Sequence, residues 1–305
     1  MIDYGKAVCY SGYRENQSPM MNKYPTYKQV LEDLQILEKY FNYIRMYDIS
    51  EHVKTVLQVI RENNISLKVM LGVEPRGEIS NPNCPWGGLH SIAEIEHNKV
   101  FNFTQLDGAA LIANEYKDIV FAVSVGNEST SDWHSNLMEP STIASHARYL
   151  KSKISQPITF CEGGYYWKTK GNEIAKEVDF ISIHSYPLWL RVPLEKAVET
   201  TLRDYQENKD LYPDKQIIFT EFGWASKANE KMDSTQANEE FQSIYFEQME
   251  KWSETSQVIM FVFEAFDEPW KGSKDLLEPE KHWGIFNVDR TPKLYYQKHS
   301  MLRKE

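Results

Sequence analysis

The chain has 305 residues, a length that barrels of alternating strands and helices commonly reach as one domain. Its 34 Lys and Arg against 44 Asp and Glu give a formal net charge of −10 and a calculated isoelectric point near 5.4. A surface of this sign repels polyanions, which argues against nucleic acid and anionic membranes as partners and is compatible with a neutral substrate.

The first half of the chain alternates short apolar runs with amphipathic segments. Runs at 6–10, 43–47, 67–73 and 119–128 are typical of buried strands. Helices are predicted from Thr26, where Gln29 completes a capping box, at 50–63, and at 104–117. The long connection 74–102, rich in Pro and Gly, is typical of a functional loop and is expected to include a short helix from Ser91.

The second half repeats this alternation. Further strands are predicted at 157–162, 178–186, 216–224 and 258–266, and further helices at 141–153, 172–176, 194–208, 234–252 and 293–302. Eight strands alternating with helices predict a closed parallel (β/α)8 TIM barrel, formed by residues 1–305 as one catalytic domain. The competing fold is a doubly wound open sheet, which usually has a Gly-rich turn after its first strand, whereas this chain has Ser11-Gly12-Tyr13.

Targeting and metal-binding signals are weak. No apolar run reaches membrane-spanning length, so the protein as given is expected to be soluble, with secreted and cytoplasmic locations both left open. The three cysteines lack metal-ligand spacing, so no metal site is predicted.

Two acids end buried strands. Glu128 ends the fourth predicted strand and Glu221 the seventh, directly after Ile217-Ile218-Phe219-Thr220. A carboxylate at the end of a buried strand is costly unless it meets water or polar groups, and barrel strands all end at the same mouth. Two carboxylates across a cleft fit hydrolysis of a glycosidic bond, since one protonates the leaving oxygen and the other attacks the anomeric carbon or activates water. The simpler interpretation is a pair of surface or ion-paired acids.

Both acids lie in motifs that point to a known family. Val125-Gly126-Asn127-Glu128 and Thr220-Glu221-Phe222-Gly223-Trp224 resemble the acid and nucleophile motifs of glycoside hydrolase family 17, the beta-1,3-glucanases and related glucanosyltransferases. Segments 5–19, 45–48, 263–271 and 282–286 are similar to its bacterial and fungal branch, so the resemblance covers nearly the whole chain. It implies a retaining mechanism with Glu128 as acid/base and Glu221 as nucleophile. Their carboxyl groups should then lie about 5 to 5.5 Å apart.

Further site residues follow from their positions at strand ends. Tyr186 is a candidate hydrogen-bond donor to Glu221, or else an ordinary tyrosine of the barrel lip. Asn127 is expected, on the resemblance, to bond the 2-hydroxyl of the sugar, and otherwise to satisfy backbone groups. His184, within the sixth strand, is interpreted as a satisfied polar core residue rather than a catalyst.

Charged and aromatic side chains surround the predicted mouth. Glu264, Glu268 and Lys271 crowd the exit of the eighth strand, where the last two match family positions that help hold the site, or else form a loop salt bridge. Five aromatic residues are candidate platforms for sugar faces, although each alone is more often a packing residue: Tyr10, Tyr47, Trp224, Trp270 and Trp283.

These observations together predict a monomeric retaining hydrolase of laminarin-type beta-1,3-glucan, with no metal or organic cofactor. Transglycosylation at the same site is an alternative, because a sugar hydroxyl can take the covalent intermediate in place of water. Its extent is expected to depend on loops such as 74–102 and 129–140. A glucan-binding barrel that lacks chemistry is the alternative from another class, and the presence of both acids argues against it.

Overall fold

A computed structural model describes residues 1–302 of the chain. Its eight strands pair in parallel, each with the next along the chain, and the last pairs with the first to close the barrel. The strands are β1 (Ala7–Cys9), β2 (Tyr43–Arg45), β3 (Lys68–Gly72), β4 (Val120–Asn127), β5 (Ile158–Gly163), β6 (Ile181–Ser185), β7 (Ile217–Phe222) and β8 (Met260–Val262). The predicted (β/α)8 fold is therefore confirmed.

Helices connect the strands on the outside of the barrel. They are α1 (Tyr27–Leu37), α2 (Glu51–Asn63), α3 (Ile92–Glu115), α4 (Pro140–Lys151), α5 (Gly164–Lys170), α6 (Asn172–Ala175), α7 (Leu194–Leu211), α8 (Glu239–Ser256) and α9 (Leu294–Leu302). Among residues 1–302, no helix is both long enough and apolar enough to cross a membrane.

Strand side chains alternate between two apolar clusters. Val8, Ile44 and Val123 belong to the large cluster that also contains the inner faces of the helices. Ala7, Cys9 and Cys161 belong to a smaller cluster that, among the side chains the structure describes, contains no α-helical residue, so it lies inside the barrel. Because alternate residues of a strand point to opposite faces, the polar side chains of Arg45 and His184 lie on inward-facing positions near the carboxyl ends of the strands.

The sequence located the strands well and some helix ends poorly. Thr26 caps α1 through the predicted capping box with Gln29. The two helices predicted from Ser91 and at 104–117 are one continuous helix, α3, because the Thr104 hydroxyl donates to the Val100 carbonyl and does not cap a new helix. The helix predicted from residue 234 begins only after Asn238, whose side chain accepts from the Phe241 amide. No element was predicted where α5 forms.

Candidate active site

Glu128 and Glu221 face each other at the carboxyl end of the barrel. Glu128 directly follows β4 with a left-handed backbone, φ 53°, and Glu221 is the fifth residue of β7. One carboxylate oxygen of each lies within 4.8 Å of the other. This distance is close to the roughly 5 to 5.5 Å carboxyl separation of retaining glycosidases and well below the roughly 6.5 to 9.5 Å of inverting ones.

Glu221 is buried among hydrogen-bond donors. Arg45 Nη1 donates to its Oε1 at 2.6 Å, the Tyr47 hydroxyl donates to the same oxygen at 2.9 Å, and the Tyr186 hydroxyl donates to Oε2 at 2.6 Å. Burial by itself raises the pKa of Glu221, but His184, Arg45 and the two tyrosines outweigh it and hold that pKa below its ordinary value. Glu221 is therefore ionised at neutral pH, as a nucleophile must be.

His184 lies between the two acids, and it is a buried polar residue with hydrogen-bond partners, as interpreted from the sequence. Its Nδ1 is 2.8 Å from Glu128 Oε1 and 3.4 Å from Glu221 Oε2. Burial lowers the pKa of His184, but Glu221 and Glu128 raise it to about 10. The sequence offered one signal for this contact. His184 precedes Tyr186, the predicted donor to Glu221, by two residues, and residues at this spacing along a strand point to the same side.

Arg45 is a second site residue that was not singled out from the sequence. Besides Glu221 it contacts Asn127, whose Oδ1 accepts from Arg45 Nη2 at 2.5 Å. This contact engages the oxygen of the Asn127 amide, so the amide nitrogen is the group that can donate to a ligand. Arg45 lies in the Arg45-Met46-Tyr47-Asp48 segment that resembles family 17, which was the available signal.

A third acid, Glu162 at the end of β5, holds the turn that follows Glu128. Glu162 Oε2 accepts from the Thr130 amide at 3.0 Å and hydroxyl at 2.6 Å, and Oε1 accepts from the Ser131 hydroxyl at 2.8 Å and the Gly163 amide at 2.7 Å. Burial and the nearby Glu128 raise the pKa of Glu162 to about 7 despite these donors. Sequence reasoning missed Glu162, although it ends a strand just as the other two acids do.

The acidic cluster after β8 forms its own ion pairs. Lys271 Nζ lies 2.6 Å from Glu264 and 2.7 Å from Glu268, and both carboxylates are buried. Burial raises the pKa of Glu264; Lys271 opposes this rise and Glu268 adds to it. These contacts match the loop salt bridge that was the alternative interpretation of Lys271, while Glu221 receives its positive charge from Arg45.

Comparison with known proteins places the chain in a family. Residues 7–284 match the family model of the BtgE/BtgC glycoside hydrolase domain. The chain belongs to this family. The resemblance to glycoside hydrolase family 17 is thus confirmed, and a family 17 enzyme is among the structural neighbours.

Two curated fungal relatives of this BtgE/BtgC domain are similar over much of its length. The probable glucan endo-1,3-beta-glucosidase btgC of Aspergillus clavatus is 25% identical over 90% of this chain and 40% of its own length. The glucan 1,3-beta-glucosidase of Arthroderma benhamiae is 25% identical over 58% of this chain and 61% of its own. The chain thus spans about two fifths of the btgC protein.

Solved structures share the fold of the BtgE/BtgC domain. An endo-laminarinase from Formosa superposes with a TM-score of 0.84 at 24% identity, over 97% of this chain and 86% of that one. A beta-1,3-glucanosyltransferase of family 17 from Rhizomucor miehei superposes with a TM-score of 0.73 at 19% identity, over 95% of both chains.

Three of the five aromatic residues predicted as sugar platforms are buried in the BtgE/BtgC domain, so that prediction is wrong for them. The Tyr10 hydroxyl donates to Asp33, and its ring packs against Gly12 so closely that a Cβ added there would lie 2.6 Å from a ring carbon. Trp224 donates to the Gln236 carbonyl, and Trp283 packs beneath Tyr186. These large apolar rings gain more from packing under the loops than from facing water.

The other two predicted platforms are partly exposed. Tyr47 directs its hydroxyl to Glu221 while its ring lies 4.3 Å from the Arg45 guanidinium. Trp270 packs edge-on against Tyr13 with ring centroids 5.7 Å apart. A sugar-stacking role for these two residues stays a prediction.

A cavity of about 960 Å³ lies beside the acid pair, at the exits of β2 and β3. It is lined by Asp48, Glu74 and Arg76 from the strand exits and by His97 and Phe101 from α3. Neither Glu128 nor Glu221 lines it. It adjoins the site because Asp48 directly follows Tyr47, which contacts Glu221.

Glu128, His184 and Glu221 have ligand atoms within 4.8 Å of one another, a spacing that a metal ion could use. The Arg45 guanidinium already contacts Glu221 at 2.6 Å, and a cation bound there would be repelled by it. The donor set therefore fits acid/base and nucleophilic chemistry better than metal binding.

Proposed function

We propose that this domain hydrolyses beta-1,3-glucan with retention of anomeric configuration. The observation that carries the proposal is the distance of at most 4.8 Å between carboxylate oxygens of Glu128 and Glu221. The names of the curated relatives support the choice of substrate, since they are described as glucan endo-1,3-beta-glucosidases or a glucan 1,3-beta-glucosidase.

In the first step Glu221 attacks the anomeric carbon while Glu128 donates its proton to the leaving glycosidic oxygen. The products are a glycosyl ester on Glu221 and the released part of the glucan chain, whose glycosidic oxygen is now a free hydroxyl. In the second step the ionised Glu128 takes a proton from water, and the hydroxide displaces Glu221 from the anomeric carbon. Two displacements on one carbon restore its original configuration.

Contacts and exposure of the two side chains support these roles. Glu221 contacts Arg45, Tyr47 and Tyr186, which favour its ionised form. The side chain of Glu128 is 18% exposed, so water can reach it. We infer further that Asn127, fixed by Arg45, donates to the 2-hydroxyl of the sugar, an interaction that strengthens in the transition state.

We also infer that the chain acts as one catalytic domain, as a monomer, on beta-glucan oligo- or polysaccharide and without a cofactor. Transfer to a sugar acceptor is the second candidate activity. The exposed rings of Trp86 and Trp133, in the loops after β3 and β4, favour it, because an acceptor sugar can pack on such rings.

The test is incubation of the purified domain with a ladder of laminari-oligosaccharides, with anomers followed by proton NMR in the first minutes. We expect the β-anomer to form first. Initial formation of the α-anomer would contradict retention. Binding measured by calorimetry without any product would instead support a non-catalytic glucan-binding barrel.

A further inference from the structure

Two tryptophans stand exposed side by side at the catalytic end of the barrel. Trp86 is 65% exposed and Trp133 is 41% exposed, and their ring centroids lie 6.1 Å apart. They belong to the loops that follow β3 and β4. Large apolar side chains that meet in solvent rather than in a core mark a binding surface.

The two loops are fastened to each other. The buried Asn81 amide donates to the carbonyl oxygens of Asp132 at 2.8 Å and His134 at 2.9 Å. The backbone amides of Glu78 and Ile79 both donate to the Leu137 carbonyl. These cross-loop hydrogen bonds on buried or backbone groups hold the tryptophans in a fixed relation.

Consecutive turns connect this pair to the acid. The Ser131 amide donates to the Glu128 carbonyl at 3.1 Å, and the His134 amide donates to the Ser131 carbonyl at 3.0 Å. Trp133 is thus five residues from Glu128 along a hydrogen-bonded path. Because the proposed acid Glu128 protonates the leaving oxygen, we place the leaving sugar next to the loop that carries Glu128 and Trp133.

We propose that Trp86 and Trp133 form a saccharide subsite for the leaving-group part of a beta-1,3-glucan chain, and for an acceptor sugar in transfer. A glucosyl ring with equatorial hydroxyls presents apolar C–H faces, which pack on an indole face. The subsite rests on the proposed function and adds to it the residues that bind the leaving-group part of the substrate.

The size of the surface favours a sugar over a protein partner. Two indoles supply at most about 500 Å² of contact area, whereas a specific protein interface buries roughly 1,000 Å² or more. One or two glucosyl units match the smaller area.

The experiment compares two substrates in the parent, in Trp86→Ala, Trp133→Ala and the double variant. Laminaripentaose needs the leaving-group subsite, whereas an aryl beta-laminaribioside with an activated phenol does not fill it with sugar. Trp133→Phe retains an aromatic face, and Leu111→Ala removes a side chain that is 73% exposed on the outer helix α3, so it serves as the control.

We expect kcat/KM for laminaripentaose to fall about tenfold in the double variant, because both apolar faces on which the sugar packs are lost. The loss on the aryl substrate should be much smaller. The fraction of transfer products at high oligosaccharide concentration should fall as well, while Trp133→Phe keeps most of the parent values and Leu111→Ala keeps them all.

The outcomes separate the subsite from the function on which it rests. Equal losses on both substrates, or no loss on either, in variants of an active parent overturn the subsite alone. A parent that cleaves neither substrate overturns the proposed function and the subsite with it.

Discussion

The Arg45 guanidinium lies 2.6 Å from the Glu221 carboxylate, and both side chains are almost fully buried. Water therefore screens this pair little, and the guanidinium is a main reason why the carboxylate stays ionised. The pair joins β2 to β7 across the barrel interior. The proposed nucleophile and its cation are consequently positioned by strands rather than by loops.

Removing this cation should move the acidic limb of the pH profile. In Arg45→Met the pKa of Glu221 should rise, because the buried carboxylate loses a positive charge. The fall of kcat/KM on the acidic side should therefore begin at a higher pH in the variant than in the parent. The pH dependence of kcat/KM measures this. Arg45→Lys, which keeps the charge, should move the limb less, and an unmoved limb in Arg45→Met would contradict the electrostatic role.

Loss of the nucleophile should remove turnover and keep the fold. Glu221→Ala is expected to lower kcat by a factor on the order of 10⁴ or more, with little change in the thermal unfolding profile. Added azide should restore glucosyl transfer and give the α-glucosyl azide, because the small anion attacks where the carboxylate stood. More than a few per cent of parent activity without azide would refute the nucleophile assignment.

Loss of the acid should depend on the leaving group. In Glu128→Ala, kcat/KM on laminari-oligosaccharides should fall about 10² to 10⁴-fold, whereas activated aryl glucosides, whose phenolate needs no proton, should be spared in the first step. Glu128→Gln is the matched variant that preserves size. Equal losses on both substrate classes would argue against the acid role.

His184 should make stability fall in alkaline solution. Its pKa is raised to about 10 in the folded chain, so the stabilising charge is fully present below the unfolded value of about 6.5 and is lost as pH rises through about 10. The melting temperature should therefore decline more steeply over this window in the parent than in His184→Gln. If the melting temperatures of the parent and of His184→Gln declined equally with pH, His184 would not carry the stabilising charge.

A buried ion network should hold the amino-terminal loop to the carboxy-terminal segment. Asp33 accepts from Arg290 Nε at 2.7 Å and Nη2 at 2.8 Å, from Arg14 at 3.0 Å, and from Tyr10. Asp33→Ala leaves buried positive charge unpaired, so it should lower the free energy of unfolding by about 3 to 5 kcal/mol in urea titration. Glu32→Ala removes an exposed partner of Arg14 and should cost about 1 kcal/mol or less. Equal losses of unfolding free energy in Asp33→Ala and Glu32→Ala would refute the stabilising role of the network.

The sequence revealed the barrel because buried parallel strands are nearly continuous apolar runs, as in 119–128. It also identified both acids and the Tyr186 donor, since polar residues at the ends of such runs are unusual. It did not reveal that Arg45 and His184 contact Glu221. An inward-facing polar residue within a strand gives the same sequence pattern whether it bonds to core groups or to site residues. The burial of Tyr10, Trp224 and Trp283 depends on how loops fold back over the barrel, which local pattern does not encode.

The four hydrogen bonds that Glu162 accepts limit which segments can be exchanged between related barrels. The turn that carries Glu128 in a left-handed conformation is anchored to the neighbouring strand, through Thr130 and Ser131. If the loop between β4 and α4 were transplanted alone, it would carry Trp133 and the turn after Glu128. It would not carry Glu162, which holds that turn in place. A segment that keeps the turn after Glu128 together with its anchor must therefore extend from β4 through α4 to β5.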